Sequence, residues 1–398
     1  MFSKCDSRAS VVMVSSIDDF FSGGGVSLFN STLALSRVHE LEVKLTNRGT
    51  LYDALNKAGI KVSIIREYGK LDLFYGFRIL LSILKLDKKK SIIITHTERT
   101  SVLVNPLLFL FRFKLATVLH RSIASGSPWN GKIRSFIFLH AENLILKYFT
   151  DIVYCVSDNL AEELVIKRHL DKNKVAVLCN YIDLHTIKLR HQLTSVVKKE
   201  DSFKQYPNNN HYNIVSLIRN NSVKGADFFN SRAFERLVMH IKNIIKKDLY
   251  LYLVGPCTSD SYYKECKNIC NNFGVYLMIT GVVKNVNDFL EVTDLYIQPS
   301  RDEAFGLGAI EATFYECSVI TSNIDIFSKT LANYSIHLPI ISHYDDWHVD
   351  LSQLSASLVA GRRNGKVMGA SYDGWIKYNH DSNVHLEQFN ASLVRLFE

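Results

Sequence analysis

Short runs of Val, Ile and Leu recur along the first half of this chain, separated by longer mixed segments. They fall at 11–16, 61–65, 91–96, 115–120, 152–157 and 174–180. Continuous apolar runs of this length read as strands covered on both faces. The gaps carry helical periodicity, as at 51–57 and 159–167. Strand and helix in alternation build parallel, doubly wound sheets, because a parallel pair needs a crossover and the helix supplies it.

The pattern breaks at 184–212, where Lys198, Lys199, Glu200, Asp201 and the run Asn208-Asn209-Asn210 leave no apolar period. It restarts with strand candidates at 213–218, 249–255, 275–281, 294–299 and 318–322. A chain of 398 residues exceeds what one core usually organises. The expectation is an α/β chain of two Rossmann-like domains whose parallel sheets face a cleft. The expected division is a first domain over 1–190, a linker over 191–210, a second domain over 211–370 and a helical tail over 371–398 that packs back on the first. Ligands of such sheets bind outside the carboxyl ends of the strands.

Composition narrows the partners. The formal net charge is +8, which suits nucleic acid, an anionic membrane or a phosphorylated substrate. No Arg-rich run with interleaved aromatics occurs, so nucleic acid is not expected. Residues 1–10 carry Lys4, Asp6 and Arg8 without a long apolar run, and the most apolar stretch, 102–111, holds Asn105 and Pro106. A spanning helix takes about twenty apolar residues, so none is expected, and the chain reads as cytoplasmic. The seven cysteines show no metal-ligand spacing and read as reduced thiols.

The segment 294–322 reads DLYIQPSRDEAFGLGAIEATFYECSVITS. A strand ends at Pro299-Ser300, a loop carries Glu303, and Phe305-Gly306-Leu307-Gly308 opens a helix containing Glu311. Free N–H groups and the helix dipole make such an opening an anion site, with a diphosphate as its natural tenant. Glu311, one turn on, is placed to bind ribose hydroxyls, and Glu303 to face a donor sugar.

These residues resemble family 4 of the retaining glycosyltransferases, whose signature sets two glutamates eight positions apart around a Phe-Gly core after a Pro-Ser strand end. Glu303, Glu311, Ser300, Phe305, Gly306 and Ala312 match it. The resemblance implies the two-domain GT-B fold, a nucleotide-sugar donor, a glycan or lipid-linked acceptor and no essential metal. The segment 215–225, VSLIRNNSVKG, is similar to the family's strand, Arg and Lys-Gly. There Arg219 and Lys224 would clamp the donor diphosphate and offset the charge of the leaving nucleotide. The segment 151–183 resembles the family's Val-Ser strand end and Asn-Gly-Val-Asp run, with Tyr181 in place of Gly and Ser157 near the cleft.

Gly23-Gly24-Gly25 follow the first strand without a G-x-G-x-x-G or Walker pattern. By the resemblance, Gly24 and Gly25 lie near donor phosphate and acceptor. His96 and His120 each end a strand, and the family commonly has a histidine at the second position, so His120 joins Glu303 as a catalytic candidate. Departures stand at Ile218, Tyr181, Glu316 and Ser318, and Asn323-Ile324-Asp325-Ile326 replaces a glycine-rich loop that helps place the nucleotide. Asp18-Asp19 and Asp345-Asp346 read as solvated pairs rather than metal ligands.

Two segments, 74–90 and 129–149, mix aromatics with cations. Each suits either a core helix with a basic outer face or an amphipathic helix resting on an anionic leaflet. The reading is a retaining hexosyltransferase of bacterial surface polysaccharide synthesis, peripheral to the cytoplasmic membrane. The alternatives are a nucleotide-sugar 2-epimerase and a non-catalytic partner subunit of the same fold.

Overall fold

A computed structural model describes residues 9–20, 22–69, 72, 74–121, 132–181, 207, 210–218, 222–256, 260–283, 286–315, 317–331, 336–338 and 382–397. The chain divides into two compact units, Met1–Thr186 with Tyr378–Glu398, and Ile187–Lys377.

The first unit is built on seven strands: β1 (Ser10–Ser15), β2 (Glu40–Leu45), β3 (Lys61–Ile64), β4 (Ser91–His96), β5 (Lys114–Leu119), β6 (Ile152–Cys155) and β7 (Val175–Val177). They lie in the order β3-β2-β1-β4-β5-β6-β7, and every pair is parallel. All six residues of β4 are buried, as a central parallel strand requires. The crossovers carry α1 (Gly23–Leu35), α2 (Thr50–Lys57), α3 (Tyr75–Ile83), α4 (Glu98–Leu110), α5 (Lys132–Tyr148) and α6 (Asp158–Arg168). Tyr75, Ile79 and Ile83 of α3 fall at helical spacing and pack with Val104 and Leu108 of α4 over Val12, Val14, Ile93 and Leu115. Burial of each such side chain contributes about 1.5–3 kcal/mol, an upper estimate against an extended chain.

Strand β2 is absent from the sequence expectation. Its residues ELEVKL interleave charges with apolar groups, so no continuous run marks it. The charges are matched across the sheet edge. Glu42 accepts from Lys44 at 2.8 Å, lies 3.3 Å from Lys61 of β3, and also accepts from Ser63 at 2.9 Å.

The second unit repeats the design with β8 (Tyr212–Leu217), β9 (Leu249–Val254), β10 (Val275–Gly281), β11 (Leu295–Gln298), β12 (Ser318–Ser322) and β13 (Ile336–Leu338). The order is β10-β9-β8-β11-β12-β13, again parallel throughout. Its helices are α7 (Arg232–Ile244), α8 (Asp260–Asn272), α9 (Asn287–Leu290), α10 (Leu307–Phe314) and α11 (Asp325–Thr330). Helix α7 starts at Ser231, whose hydroxyl accepts from the Phe234 amide at 3.4 Å, and buries Phe234, Leu237, Val238 and Ile241. Cys266 and Cys270, one turn apart on α8, are buried in the same core. In each sheet the strand order reverses at one place, between β1 and β4 and between β8 and β11. These reversals are where doubly wound sheets receive ligands.

The last helix, α12 (Ser382–Phe397), belongs to the first unit. The Tyr154 hydroxyl meets Ser392 at 2.6 Å, the Cys179 amide donates to Gln388 at 3.0 Å, and Phe389 is fully buried. Tyr181, which departs from the family's glycine, is buried here. Its hydroxyl donates to the Asn30 carbonyl at 2.6 Å and its ring packs 5.2 Å from His385.

Three histidines of this unit are held neutral. Nε2 of His120 lies 3.1 Å from Nδ1 of His96, so at most one proton sits between the rings. His385 meets the Cys179 carbonyl through Nδ1 at 2.8 Å. Burial pushes His120 and His385 down to about 4, and burial with help from His120 and His385 holds His96 well below the usual histidine range. An unfolded histidine takes up its proton near pH 6.5. The folded groups resist it, so their stabilisation is complete above about 6.5 and is lost as pH falls towards about 4. Each contributes a slope of up to about 1.4 kcal/mol per pH unit in that window. The thermal midpoint is expected to drop as pH falls through this range, and His120→Asn to shallow the drop. A variant with the wild-type pH slope would contradict the assignment.

Candidate active site

Two loops leave the carboxyl ends of β8 and β11, on either side of the second strand-order reversal. Their backbones are pressed together. Gly225 adopts φ of +67°, and a Cβ there would stand 1.8 Å from the Pro299 carbonyl oxygen, so no other residue fits. The Arg301 amide donates to the Val223 carbonyl at 2.8 Å. The Arg301 guanidinium then grips Asp227 through two bonds, at 3.0 and 2.8 Å. Lys224 is fixed between these ties.

The Lys224 ammonium meets Glu303 Oε1 at 2.7 Å. The same oxygen accepts from Gln298 Nε2 at 2.8 Å and from Ser300 Oγ at 2.9 Å. Among the described residues, Oε2 of Glu303 receives no donor. The amide of Gln298 is oriented from behind, since its Oε1 accepts from the Tyr296 hydroxyl at 3.0 Å and its Nε2 is thereby turned to Glu303. Tyr296 is buried, and burial together with the charges of Glu303 and Glu311 raises its phenol well above the usual range. It therefore stays protonated and serves as a donor. Ser300 is locked in turn, its carbonyl accepting from the Ser322 hydroxyl. A carboxylate with one oxygen saturated and preorganised by three donors suits a role in positioning a ligand or steadying positive charge.

Helix α10 opens directly after Glu303. Gly306, at φ of +83°, is its N-cap. A Cβ at Gly306 would come 2.4 Å from the Phe327 ring, and one at Gly308 2.6 Å from the Tyr296 hydroxyl. Both glycines are thus demanded by protein packing. The amides of Leu307 and Gly308 belong to the first turn, which has no intrahelical acceptors, and the positive end of the helix dipole adds to them. Phe305 is buried and anchors the turn. Glu311 sits one turn on, 5% exposed, within electrostatic reach of Tyr296. The sequence thus brings Lys224, Glu303, Phe305, Gly306, Leu307, Gly308 and Glu311 to one end of the second sheet. Arg219 and Glu316 lie outside the described residues. Ile218 is buried, and its carbonyl oxygen would stand 2.1 Å from a Cβ on Gly255.

Gln298, Asp227 and Arg301 carry no role in the sequence expectation. Gln298 had a visible signal, a lone amide inside an otherwise apolar strand, whereas the Asp227–Arg301 pair bridges 74 positions and leaves no local trace.

The remaining candidates stand in the first unit. Ser22 caps α1 by accepting from the Gly25 amide at 3.1 Å, and a Cβ on Gly25 would meet the Asp19 carbonyl oxygen at 2.0 Å. Gly25 therefore spends its amide and its open face on the fold. A Cβ at Gly24 would meet only the tip of Ile17, at 2.7 Å. His96 and His120 lie together at the ends of β4 and β5, as described above. Ser157 caps α6 through the Leu160 amide at 3.3 Å. The Asp18–Asp19 pair is engaged by Asn47 at 3.4 Å and Thr50 at 3.5 Å, and Asp345-Asp346 lies outside the described residues.

Residues 215–335 match the family described as Glycosyl transferases group 1. The chain is 26% identical over 318 residues, 76% of its length and 78% of the relative's, to the capsular polysaccharide biosynthesis glycosyltransferase CapH of Staphylococcus aureus. Among solved structures it resembles Anabaena HepE in complex with UDP and glucose, with a TM-score of 0.71 and 14% identity over 98% of this chain and 100% of that one. It also resembles a TarM variant of S. aureus in complex with Fondaparinux, alpha-GlcNAc-glycerol and UDP, at 0.65 and 12% over 98% and 100%. The architecture is GT-B, with two parallel-sheet α/β domains, and the domain match and the relatives together support a glycosyltransferase.

Proposed function

We propose that this chain is a retaining glycosyltransferase that moves a sugar from a nucleotide-diphosphate donor to a hydroxyl of a glycan or lipid-linked acceptor in bacterial surface polysaccharide synthesis. The observation that carries this reading is the convergence of Lys224 and Glu303 beside the opening of α10. Similarity to CapH supports the polysaccharide setting. The UDP held by HepE and TarM supports the donor class.

In this mechanism the donor diphosphate sits on the first-turn amides of α10 and draws the Lys224 ammonium towards it. Cation and helix end stabilise negative charge as the nucleotide departs. They supply the positive charge the leaving group needs, so no divalent cation takes part. Glu303 orients the donor sugar through its second oxygen and steadies oxocarbenium-like charge at the anomeric carbon. The acceptor hydroxyl attacks from the face the nucleotide leaves, and the departing phosphate oxygen takes its proton. Glu311 binds the ribose.

Glu303→Ala is expected to lower kcat by about 10²–10³-fold while nucleotide binding persists. Lys224→Ala is expected to weaken donor binding as well. A chelator is expected to leave wild-type turnover unchanged. Normal turnover by Glu303→Ala would end this assignment, and donor consumption without acceptor would favour the epimerase instead.

The setting at an anionic membrane rests on the first unit. No helix among the described residues is long and apolar enough to cross a membrane. Helix α5 exposes Ile133, Phe136, Ile137, Leu144 and Tyr148 at helical spacing, and α3 exposes Phe77 and Leu81. The exposed cations Lys85, Lys88 and Lys89 follow α3. An apolar face beside cations suits the interface of an anionic leaflet. The protein is expected to sediment with anionic vesicles at low salt, and Phe136→Asp with Ile137→Asp to release it. Wild-type protein that stays in the supernatant would sink this part of the proposal.

A further inference from the structure

The parallel strands β2 and β3 end side by side, with Leu45 opposite Ile64. Beyond their carboxyl ends lies a cavity of about 1180 Å³ whose lining includes Asn47, Arg48, Arg66, Tyr68, Arg78 and Leu81. This is the outer edge of the first sheet, two strands from the strand-order reversal.

The cavity gathers three guanidinium groups with different degrees of freedom. Arg78 is fixed. It pairs with Asp72, donates through Nε to the Arg66 carbonyl at 3.1 Å, and lies over the Tyr68 ring at 5.1 Å. Arg48 is exposed and stacks on Tyr52 at 5.5 Å. Arg66 is exposed as well. Neither Arg48 nor Arg66 forms an ion pair among the described residues. The neighbouring carboxylates are already engaged. Asp72 is taken by Arg78, Glu67 by Arg99 and Glu42 by Lys44 and Lys61, while Asp18 accepts from Asn47 at 3.4 Å. The groove therefore presents two planar, forked donors, Arg48 and Arg66, that no carboxylate among the described residues pairs, a geometry that matches phosphate oxygens in bidentate fashion.

We propose that this groove is an anion subsite that receives a phosphate or diphosphate group of the acceptor. The inference rests on the reading that the chain transfers a sugar to an acceptor, and it names the acceptor's chemistry. Arg48 and Arg66 close on the oxygens, Arg78, paired with Asp72, forms a fixed wall, and Leu81 offers an apolar flank. Two sources carry this chemistry, a lipid-linked diphosphate and a phosphorylated soluble glycan.

The test is calorimetric titration of the full chain with inorganic pyrophosphate, and separately with farnesyl diphosphate. Wild type is compared with the double variant Arg48→Ser, Arg66→Ser and with Lys224→Ala. Both arginines are exposed, and an unchanged thermal midpoint verifies that the double variant is folded. The expected result is a binding event weakened at least tenfold in the double variant and kept in Lys224→Ala. Tighter binding of farnesyl diphosphate than of pyrophosphate identifies a lipid-linked source, and equal binding a soluble one. Equal affinity in wild type and double variant overturns the proposal. Loss only in Lys224→Ala assigns the anion to the donor end and also overturns it, while leaving the transferase reading intact. In turnover assays the double variant is expected to raise the acceptor KM with donor KM unchanged. A transferase reading that fails would show itself separately, as an absence of donor turnover in wild type.

Discussion

The approach of the Gly225 backbone to the Pro299 carbonyl sets the rest of the second domain's site. It brings the loops after β8 and β11 within touching distance, so that Val223 can accept from the Arg301 amide and Asp227 can hold the Arg301 side chain. Only then does Lys224 reach Glu303. A residue with a Cβ at position 225 would part the loops and leave a carboxylate with two neutral donors in place of a cation. The strand-order reversal between β8 and β11 makes the opening, and the glycine closes its two rims to ionic contact.

Behind this pair the protein is built for rigidity. Tyr296 fixes Gln298, and Gln298 and Ser300 fix one oxygen of Glu303. Gly308 lies against the Tyr296 hydroxyl, so the helix opening and the carboxylate share one support. A carboxylate oriented before a ligand arrives loses little freedom on binding, which is how preorganised sites lower a barrier. The first domain uses its polar interior differently. His96, His120 and His385 join the ends of β4 and β5 to α12, and their neutrality ties fold stability to pH.

Much of this was legible in the sequence because parallel strands announce themselves. Strands such as β4, SIIITH, are apolar throughout because helices cover both faces. The segment around Glu303 was legible because strand end, loop and helix opening lie within thirty residues. What escaped was whatever depends on lateral pairing of strands. Strand β2 hid because Glu42 and Lys44 are charged, and the pairing of Glu42 with Lys61 exists only once β2 and β3 lie together. Arg48, Arg66 and Arg78 likewise form a groove only because those two strands end at the same level. In the sequence Gly306 and Gly308 mark the opening of an anion site, and the structure gives them a second cause in the Phe327 ring and the Tyr296 hydroxyl. Tyr181, a departure in sequence, is accounted for by its bond to Asn30 and its packing against His385.

In the proposed mechanism Lys224, the opening of α10 and Glu303 carry a front-face transfer of sugar from a nucleotide donor. Proton NMR of the glycoside formed from an α-linked nucleotide sugar tests it most directly, since the anomeric coupling reports the configuration of the new bond. An α-linked product is the predicted result. A β-linked product would contradict the account, because attack would then have come from the face opposite the departing nucleotide.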